Sequence, residues 1–212
     1  MSDAEDDRDL MLRYQRGDAG AFDQLYGRHK GPLYRYCLRQ CHDPDTAAEL
    51  FQEVWARIVK GRAGYKPLAR FTTWLYQVAH SAWVDHVRRH ARRPKLVTGQ
   101  AQDAPQAEAV AAASAGPPAR AQVGQAMQQV LAAIEALPPD QREIFLLRQE
   151  TDLTIEEIGE ATGVSRETAK SRLRYALKKL RTELKDVLGA MPGDTGPDGL
   201  AGVTAGLAGE PT

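Results

Sequence analysis

A helix predicted near the C-terminus carries the side chains best suited to bind nucleic acid. At 100° per residue its polar residues share one stripe, opposite an apolar seam that contains Leu173. The stripe consists of Glu167, Lys170, Ser171, Arg174 and Lys178. Lys and Arg bind phosphates or guanine edges, Ser bonds to either, and a carboxylate accepts a hydrogen bond from cytosine. An ordinary solvated helix face has the same composition, so the surrounding elements must decide between the two interpretations.

The residues before this helix predict a helix-turn-helix. Thr154 and Glu157 have the spacing of a capping box, which starts one short helix. Gly163 supplies the left-handed residue that often ends a helix, and Ser165 caps the next one. A short helix, a glycine turn and a second capped helix form the unit that places its second helix in a DNA major groove. The stripe is therefore predicted to contact DNA.

A second candidate nucleic-acid surface lies in the first half of the chain. Tyr65 is the one aromatic residue in a Gly- and Pro-containing loop over residues 61–70, among several basic residues. It could stack on an unpaired base or pin the loop to the core, and the sequence leaves both open. The helix predicted over residues 71–93 has a polar stripe that becomes basic toward its end: Gln77, Ser81, Asp85, Arg88 and Arg92.

Cys37 and Cys41 are the only cysteines. Their spacing of four in a predicted helix keeps their Cβ atoms about 5–6 Å apart, farther than the roughly 3.5–4.5 Å of a disulfide. We predict two buried free thiols, with a metal site that includes His42 as the alternative. No Ser/His/Asp, paired-carboxylate or metal-ligand arrangement indicates an enzyme, and we expect no cofactor, no metal and no small-molecule substrate.

The charge of the chain is uneven, although Lys and Arg number 28 and Asp and Glu also number 28. Acidic residues dominate the first nine positions, whereas basic residues cluster at 88–95 and 170–181. This asymmetry is more informative than the net charge of zero. No apolar run approaches the roughly 18 residues of a membrane span, and an acidic start does not fit a signal peptide. We expect a cytoplasmic protein.

Helical periodicity without strand patterns predicts an all-α fold with two small helical domains joined by a flexible linker. We predict disorder over residues 1–8, a first domain over 9–94, a linker over 95–124, a helix-turn-helix domain over 125–187 and a disordered tail over 188–212. Asp18 and Asp43 are predicted helix caps, and Gly31-Pro32 is a predicted helix break.

Three segments together resemble the extracytoplasmic-function sigma factors, the smallest members of the bacterial sigma-70 family. These segments are TAAELFQEVWARI (46–58), FTTWLYQVAHSAWVDHVRR (71–89) and LPPDQREIFLL…TIEEIGEATGVSRETAKSRLRYALKKLR (137–181). The resemblance implies that region two binds the promoter −10 element and the β′ coiled coil of RNA polymerase core. Region four would read the −35 element and bind the β flap.

The resemblance also assigns roles to individual residues. The acidic polymerase-binding motif falls on Glu49, Gln52 and Glu53. By the resemblance, Tyr65 lies in the loop that closes over a flipped −10 base, and Val78 and Ser81 line its pocket. With the polar stripe of the same helix, the predicted −10 residues are Tyr65, Trp74, Gln77, Val78, Ser81, Arg88 and Arg92. The −35 positions are Arg166, Glu167, Lys170, Ser171 and Arg174. Many relatives have Asn at the Ser81 position, and a hydroxyl offers a base different hydrogen bonds from those of an amide. Relatives often have Ala where this chain has Gly159, which is expected to loosen that helix slightly.

Family resemblance further implies an anti-sigma factor, often membrane-bound, that masks both domains. Two rival functions remain. One is a stand-alone helix-turn-helix regulator whose N-terminal part senses a ligand or dimerises, and the other is a sigma factor with an added Cys37/Cys41/His42 metal sensor.

Overall fold

Two helical units make up the part of the chain that the computed structural model describes, residues 6–92 and 117–185. The helices are α1 (Asp7–Gln15), α2 (Ala19–Cys41), α3 (Pro44–Gly61), a short 3₁₀ helix (Arg62–Gly64), α4 (Phe71–Arg92), α5 (Pro117–Glu135), α6 (Pro139–Glu150), α7 (Ile155–Thr162) and α8 (Arg166–Glu183). We call α1 to α4 the N-terminal unit and α5 to α8 the C-terminal unit. The predicted all-α fold class is confirmed.

The predicted helix caps are present. Asp18 accepts a hydrogen bond from the Ala21 amide at 3.3 Å, and Asp43 accepts one from the Thr46 amide at 2.8 Å. Pro44 occupies the first turn of α3, where its missing N–H leaves no helical hydrogen bond unmade. These side chains satisfy backbone donors that a helix cannot satisfy itself.

The predicted helix break at Gly31-Pro32 was wrong. Helix α2 continues through Pro32 for 23 residues and buries side chains on both sides of it, including Leu25 and Leu33. Proline in a helix interior costs about 3 kcal/mol. Burying large apolar side chains along the same helix is worth about 1.5–3 kcal/mol each, which is enough to keep it continuous.

Two predicted boundaries also shift. Asp6 caps α1, so residues 6–8 are helical or capping rather than disordered. Helix α5 begins at Pro117, inside the predicted linker, because Pro is favoured in a first helical turn and the Ala- and Gln-rich residues after it are good helix formers. The rest of the predicted linker and the predicted tail lie outside the described residues.

The two units share one hydrophobic core rather than standing apart. Helix α2 packs on α1 and α3 within its own unit and on α6 of the other, and α4 packs on α3 and on α7. Apolar residues such as Ile134, Phe145 and Leu147 are as completely buried as Leu25 and Leu75 of the N-terminal unit. A freely tethered pair was expected, and the structure instead shows two units in direct contact.

Hydrogen bonds between polar side chains join the two units at several points. Glu143 Oε1 accepts hydrogen bonds from the Tyr36 hydroxyl at 2.7 Å and from His80 at 2.8 Å. Glu150 binds both Arg35, at 2.8 Å, and Arg39. A buried carboxylate needs such partners because an unpaired one would lose its hydration without compensation.

The helix-turn-helix depends on two glycines. Gly163 has φ 68°, the left-handed conformation predicted for it. A Cβ on Gly159 would lie 2.9 Å from the Val164 carbonyl oxygen, so this glycine lets α7 approach the turn closely. The sequence interpretation of Gly159 as a mildly loosening residue therefore misses its main effect, which is steric.

We predict that Gly159→Ala destabilises the protein by about 1–3 kcal/mol, because backbone atoms must move to accept the new methyl group. Gly27→Ala is the matched control. Gly27 lies in α2, and a Cβ added to it would meet no atom within 4 Å, so this variant should gain roughly 0.5–1 kcal/mol from helix propensity alone. Urea unfolding measures both, and a stabilised Gly159→Ala would contradict the steric explanation.

The His80–Glu143 contact predicts a pH dependence of stability. The hydrogen bond to Glu143 raises the pKa of His80 above the 6.5 of a free histidine, against the opposing effect of burial. The folded state therefore holds this proton more tightly, and the stabilisation is complete below pH 6.5 and lost as pH rises through the raised pKa.

His42 and His86 have lowered pKa values, mainly because of burial, and act in the opposite direction. The quantity to measure is therefore the difference in unfolding free energy between the wild type and His80→Gln. This difference should shrink between pH 6 and pH 8. A difference that does not change with pH would mean that His80 is not protonated in the fold.

Candidate nucleic-acid interface

The helix-turn-helix brings the predicted −35 residues together on one exposed face. Ser165 caps α8 by accepting a hydrogen bond from the Thr168 amide at 3.2 Å, which fixes where the helix starts. Arg166, Glu167, Lys170 and Arg174 are exposed, and Ser171 is half-buried. The first turns of α8 therefore present cations, a carboxylate and a hydroxyl outward, the mixture suited to phosphate and base edges.

Two arginines of this face are already oriented. Arg166 donates a hydrogen bond from Nε to Glu156 of α7, and this contact raises the pKa of Arg166. The Arg174 guanidinium lies 5.2 Å from the centre of the Tyr175 ring, which is 52% exposed. Such contacts limit the rotamers of long side chains before a ligand arrives.

A groove of about 710 Å³ follows the same helix toward its C-terminal end. Half-buried Leu173 and Leu177 form its floor, and cations line its sides: Lys170, Arg174, Lys178, Arg181 and Lys185. The apolar seam predicted through Leu173 is not fully buried, since Leu173 and Leu177 both remain partly accessible. The basic surface of α8 therefore extends beyond the predicted −35 residues, toward Lys185.

The predicted −10 residues differ from one another in how exposed they are. Gln77, Ser81 and Arg88 are exposed along α4, whereas Trp74 and Val78 are half-buried. The Arg92 side chain lies outside the described residues. The exposed part of this surface therefore consists of the polar stripe, with Val78 and Trp74 at its buried margin.

Tyr65 is buried, and it pins the loop to the core. It is only 4% exposed, and its ring centre lies 4.9 Å from that of Trp74 and 6.5 Å from that of Phe71. Its hydroxyl has no hydrogen-bond partner among the described residues. In this arrangement Tyr65 does not face an incoming base, so of the two roles left open by the sequence, the structural one describes its contacts.

Gln15 holds the same loop from outside. Its Nε2 lies 3.0, 3.0 and 3.2 Å from the carbonyl oxygens of Arg62, Ala63 and Tyr65. No local pattern predicts a contact between residues almost fifty positions apart. With Tyr65 inside, the large apolar side chain that projects from the loop is Leu68, which is 88% exposed.

The acidic face of α3 is partly neutralised within the molecule. Glu49 and Gln52 are exposed, but Glu53 binds Arg57 at 2.6 Å and lies 3.4 Å from Arg89. The Arg57 hydrogen bond lowers the pKa of Glu53. The i,i+4 spacing makes the Arg57 partner visible in the sequence, whereas Arg89 comes from α4 and was missed.

The cysteine pair has the properties of core residues. Cys37 is fully buried, Cys41 is half-buried, and both are free. Burial raises the pKa of both thiols, so neither readily forms the thiolate that redox reactions and metal binding require. His42 Nδ1 lies 3.4 Å from Glu135. Within residues 6–92 and 117–185 no group of three or more His, Cys, Asp or Glu could hold a metal ion, and no helix could cross a bilayer.

Comparison with known proteins finds a matching family for each of the two units. The Sigma-70 region 2 family matches residues 25–93, and the Sigma-70 region 4 family matches residues 133–182. The chain is 29% identical over 177 residues to the RNA polymerase sigma factor CarQ of Myxococcus xanthus, covering 84% of this chain and 97% of CarQ. It is 28% identical over 186 residues to the RNA polymerase sigma-H factor of Pseudomonas aeruginosa, covering 87% and 96% of the two chains.

Solved structures share the fold at lower identity. The sigma factor RpoE of Bartonella quintana, solved with the anti-sigma factor NepR, has a TM-score of 0.63 at 19% identity and covers 77% of this chain and 96% of its own. CnrH, solved with the cytosolic domain of CnrY, has a TM-score of 0.58 at 19% identity and covers 85% and 97%. With both sigma regions in order along one chain, this protein belongs to the extracytoplasmic-function sigma factors of RNA polymerase.

Proposed function

We propose that three surfaces of this sigma factor have separate binding roles in transcription initiation. The α3 face of Glu49, Gln52 and Glu53 binds the basic β′ coiled coil of polymerase core. The outer face of α8 reads the −35 element, and the exposed stripe of α4 contacts the −10 element. The observation that carries this division is that the three faces are built on different helices and are all accessible in the structure.

For the −35 element, α8 supplies the usual chemistry of a recognition helix. Arg166, Lys170 and Arg174 place basic side chains on its outer face, and Glu167 adds an acceptor for cytosine. Phosphate contacts fix the register of the helix, and base contacts select the sequence. The Arg166–Glu156 contact ties the first of these cations to α7 and so sets its direction.

For the −10 element, DNA opening must be driven by binding energy. Extruding a base costs a few kcal/mol, and a pocket that captures one base well can offset this cost. Gln77 and Ser81 supply polar groups for such a base, and half-buried Val78 and Trp74 supply an apolar wall. Tyr65 supports this pocket from beneath by fixing the loop.

The remaining partners follow from the same assignment. The C-terminal unit binds the β flap, and an anti-sigma factor, as in the RpoE–NepR complex, masks the sigma factor until it is needed. Because polymerase core and promoter DNA are cytoplasmic, we place the protein in the cytoplasm. A stand-alone regulator would bind its DNA without core polymerase, whereas this function requires core.

We predict that Glu53→Lys lowers affinity for core polymerase more than about tenfold, because like charges facing one another across an interface cost several kcal/mol. Run-off transcription and a core-binding titration measure the effect. Since Glu53 also binds Arg57 and Arg89, Glu49→Lys provides a second test at a residue with no such contacts among the described residues. Asp23→Lys, at an exposed position of α2, is the matched control. Near-normal core binding by both α3 variants would contradict the assignment.

We predict that Lys170→Ala weakens binding to a −35 duplex and reduces the salt slope of log K by about one unit, as expected for one lost phosphate contact. Fluorescence anisotropy with the full chain at several salt concentrations measures this slope. Lys30→Ala removes the same charge from an exposed position of α2 and should leave the salt slope unchanged. An unaltered slope for Lys170→Ala would mean that Lys170 does not touch the DNA backbone.

A further inference from the structure

We propose that residues 186–212 bind to the basic side of α8 in the same molecule and thereby compete with DNA for Lys170 and Arg174. The receiving surface is the cavity of about 710 Å³ along α8, which we call the α8 groove. Leu173 and Leu177 form its floor, and five cations line it: Lys170, Arg174, Lys178, Arg181 and Lys185. The docking itself does not depend on DNA, whereas the competition rests on the proposed reading of the −35 element by α8.

The cations of the α8 groove differ from other cations of this helix in having no acidic partner. Arg166 binds Glu156 of α7, and Arg172 binds Asp140 of α6. Within residues 6–92 and 117–185 no carboxylate forms an ion pair with Lys170, Lys178, Arg181 or Lys185. Like charges at i,i+4 spacing on a helix repel one another. An acidic ligand on this side of α8 therefore relieves a repulsion that the described fold leaves uncompensated.

The floor of the α8 groove favours a ligand that also carries apolar side chains. Leu173 and Leu177 lie four residues apart on one side of α8, and both are half-buried. Apolar surface left in contact with water favours a ligand that covers it. A DNA backbone offers charged phosphates to such a surface and no apolar side chain for the two leucines. The α8 groove therefore suits an acidic polypeptide with apolar residues better than it suits nucleic acid.

The sequence after α8 has this composition. Residues 186–212, which lie outside the described residues, contain no Lys, Arg or His and four acidic residues: Asp186, Asp194, Asp198 and Glu210. Large apolar residues stand between these acids: Val187, Leu188, Met191, Leu200, Val203 and Leu207. This segment therefore offers carboxylates for the sides of the groove and apolar side chains for its floor.

The position of the segment along the chain brings it to the groove. Lys185 is the last described residue and itself lines the groove, so residue 186 starts beside the surface. Lys170 and Lys185 are fifteen residues apart, ~22 Å at the helical rise. Asp194 and Asp198 lie nine and thirteen residues beyond Lys185, extended lengths of ~30 and ~43 Å. Both carboxylates can therefore reach the full length of the groove.

Docking in the α8 groove competes with DNA because two cations belong to both surfaces. Lys170 and Arg174 line the groove and are also predicted −35 residues. A short tether gives the segment an effective concentration of about 1 mM at the groove, so a weak contact is enough to keep it occupied for part of the time. The apparent affinity of α8 for DNA is then reduced by the fraction of molecules whose groove is empty.

Paramagnetic broadening tests the docking in the full chain. A nitroxide on Ala201→Cys broadens the amide NMR signals of residues near the segment. Wild type treated with the same reagent controls for the two native cysteines, whose pKa values are raised by burial. We expect broadening along α8 as far as Lys170, and its loss in the double variant Asp194→Asn, Asp198→Asn.

Two results would overturn the docking. One is broadening confined to residues next to Lys185 and unchanged by the double variant, because a segment that does not bind would give this pattern. The other is broadening transferred to isotope-labelled protein without a nitroxide in a mixture of the two, because the segment would then bind a second copy of the chain.

Titration of a −35 duplex by fluorescence anisotropy tests the competition. Arg181→Ala and Lys185→Ala remove groove cations that are not predicted −35 residues. At low salt we expect each of them, like the double aspartate variant, to increase affinity for the duplex about two- to fivefold, the range of an exposed ion pair. Lys30→Ala on α2 is the matched control and should change nothing.

The direction of the change distinguishes the segment from DNA as the ligand of the groove. If Arg181→Ala weakens duplex binding and reduces the salt slope by about one unit, its side chain contacts a phosphate, and the proposal is wrong. Unchanged affinity in all three variants would also overturn it. Absence of duplex binding by wild type and variants alike, with the α8 broadening present, would instead refute the proposed −35 function and leave the docking standing.

Discussion

The Glu143 carboxylate of α6 is the contact on which the arrangement of the two units depends. Its Oε1 accepts hydrogen bonds from Tyr36 of α2 and His80 of α4, so one buried oxygen joins three helices from both halves of the chain. Tyr36 is fully buried, and burial together with the nearby carboxylate raises its pKa, which keeps the hydroxyl protonated as a donor. Removing one partner of such a buried group is costly, because it leaves the other without a compensating contact.

The contacts between the two units leave part of each unit exposed. Glu49 and Gln52 of α3 and the outer face of α8 are exposed and lie outside the Glu143 and Glu150 contacts that join the two units. Arg70 of the N-terminal unit binds Asp152 of the C-terminal unit, and both side chains remain exposed.

The loop over residues 61–70 is held by contacts to other parts of the N-terminal unit. Tyr65 anchors the loop through Trp74 and Phe71, and Gln15 binds three of its carbonyl oxygens. A preorganised loop loses less conformational entropy on binding. An aromatic residue among cations in a sequence is therefore ambiguous: the basic neighbours indicate nucleic acid, while the ring itself serves the core.

Local chemistry in the sequence determined the helix caps, the Gly163 turn and the outer face of α8, because these features depend on residues within one or two helical turns. It did not predict that α2 continues through Pro32. The order of the motifs along the sequence was sufficient to identify the family. Only the tertiary structure decided that Tyr65 is buried, that Gly159 avoids a clash with Val164, that Arg89 binds Glu53 and that Glu143 joins the units. Each of these depends on side chains brought together from different helices or across a turn, and hydrophobic periodicity tells which face is buried but not against which partner.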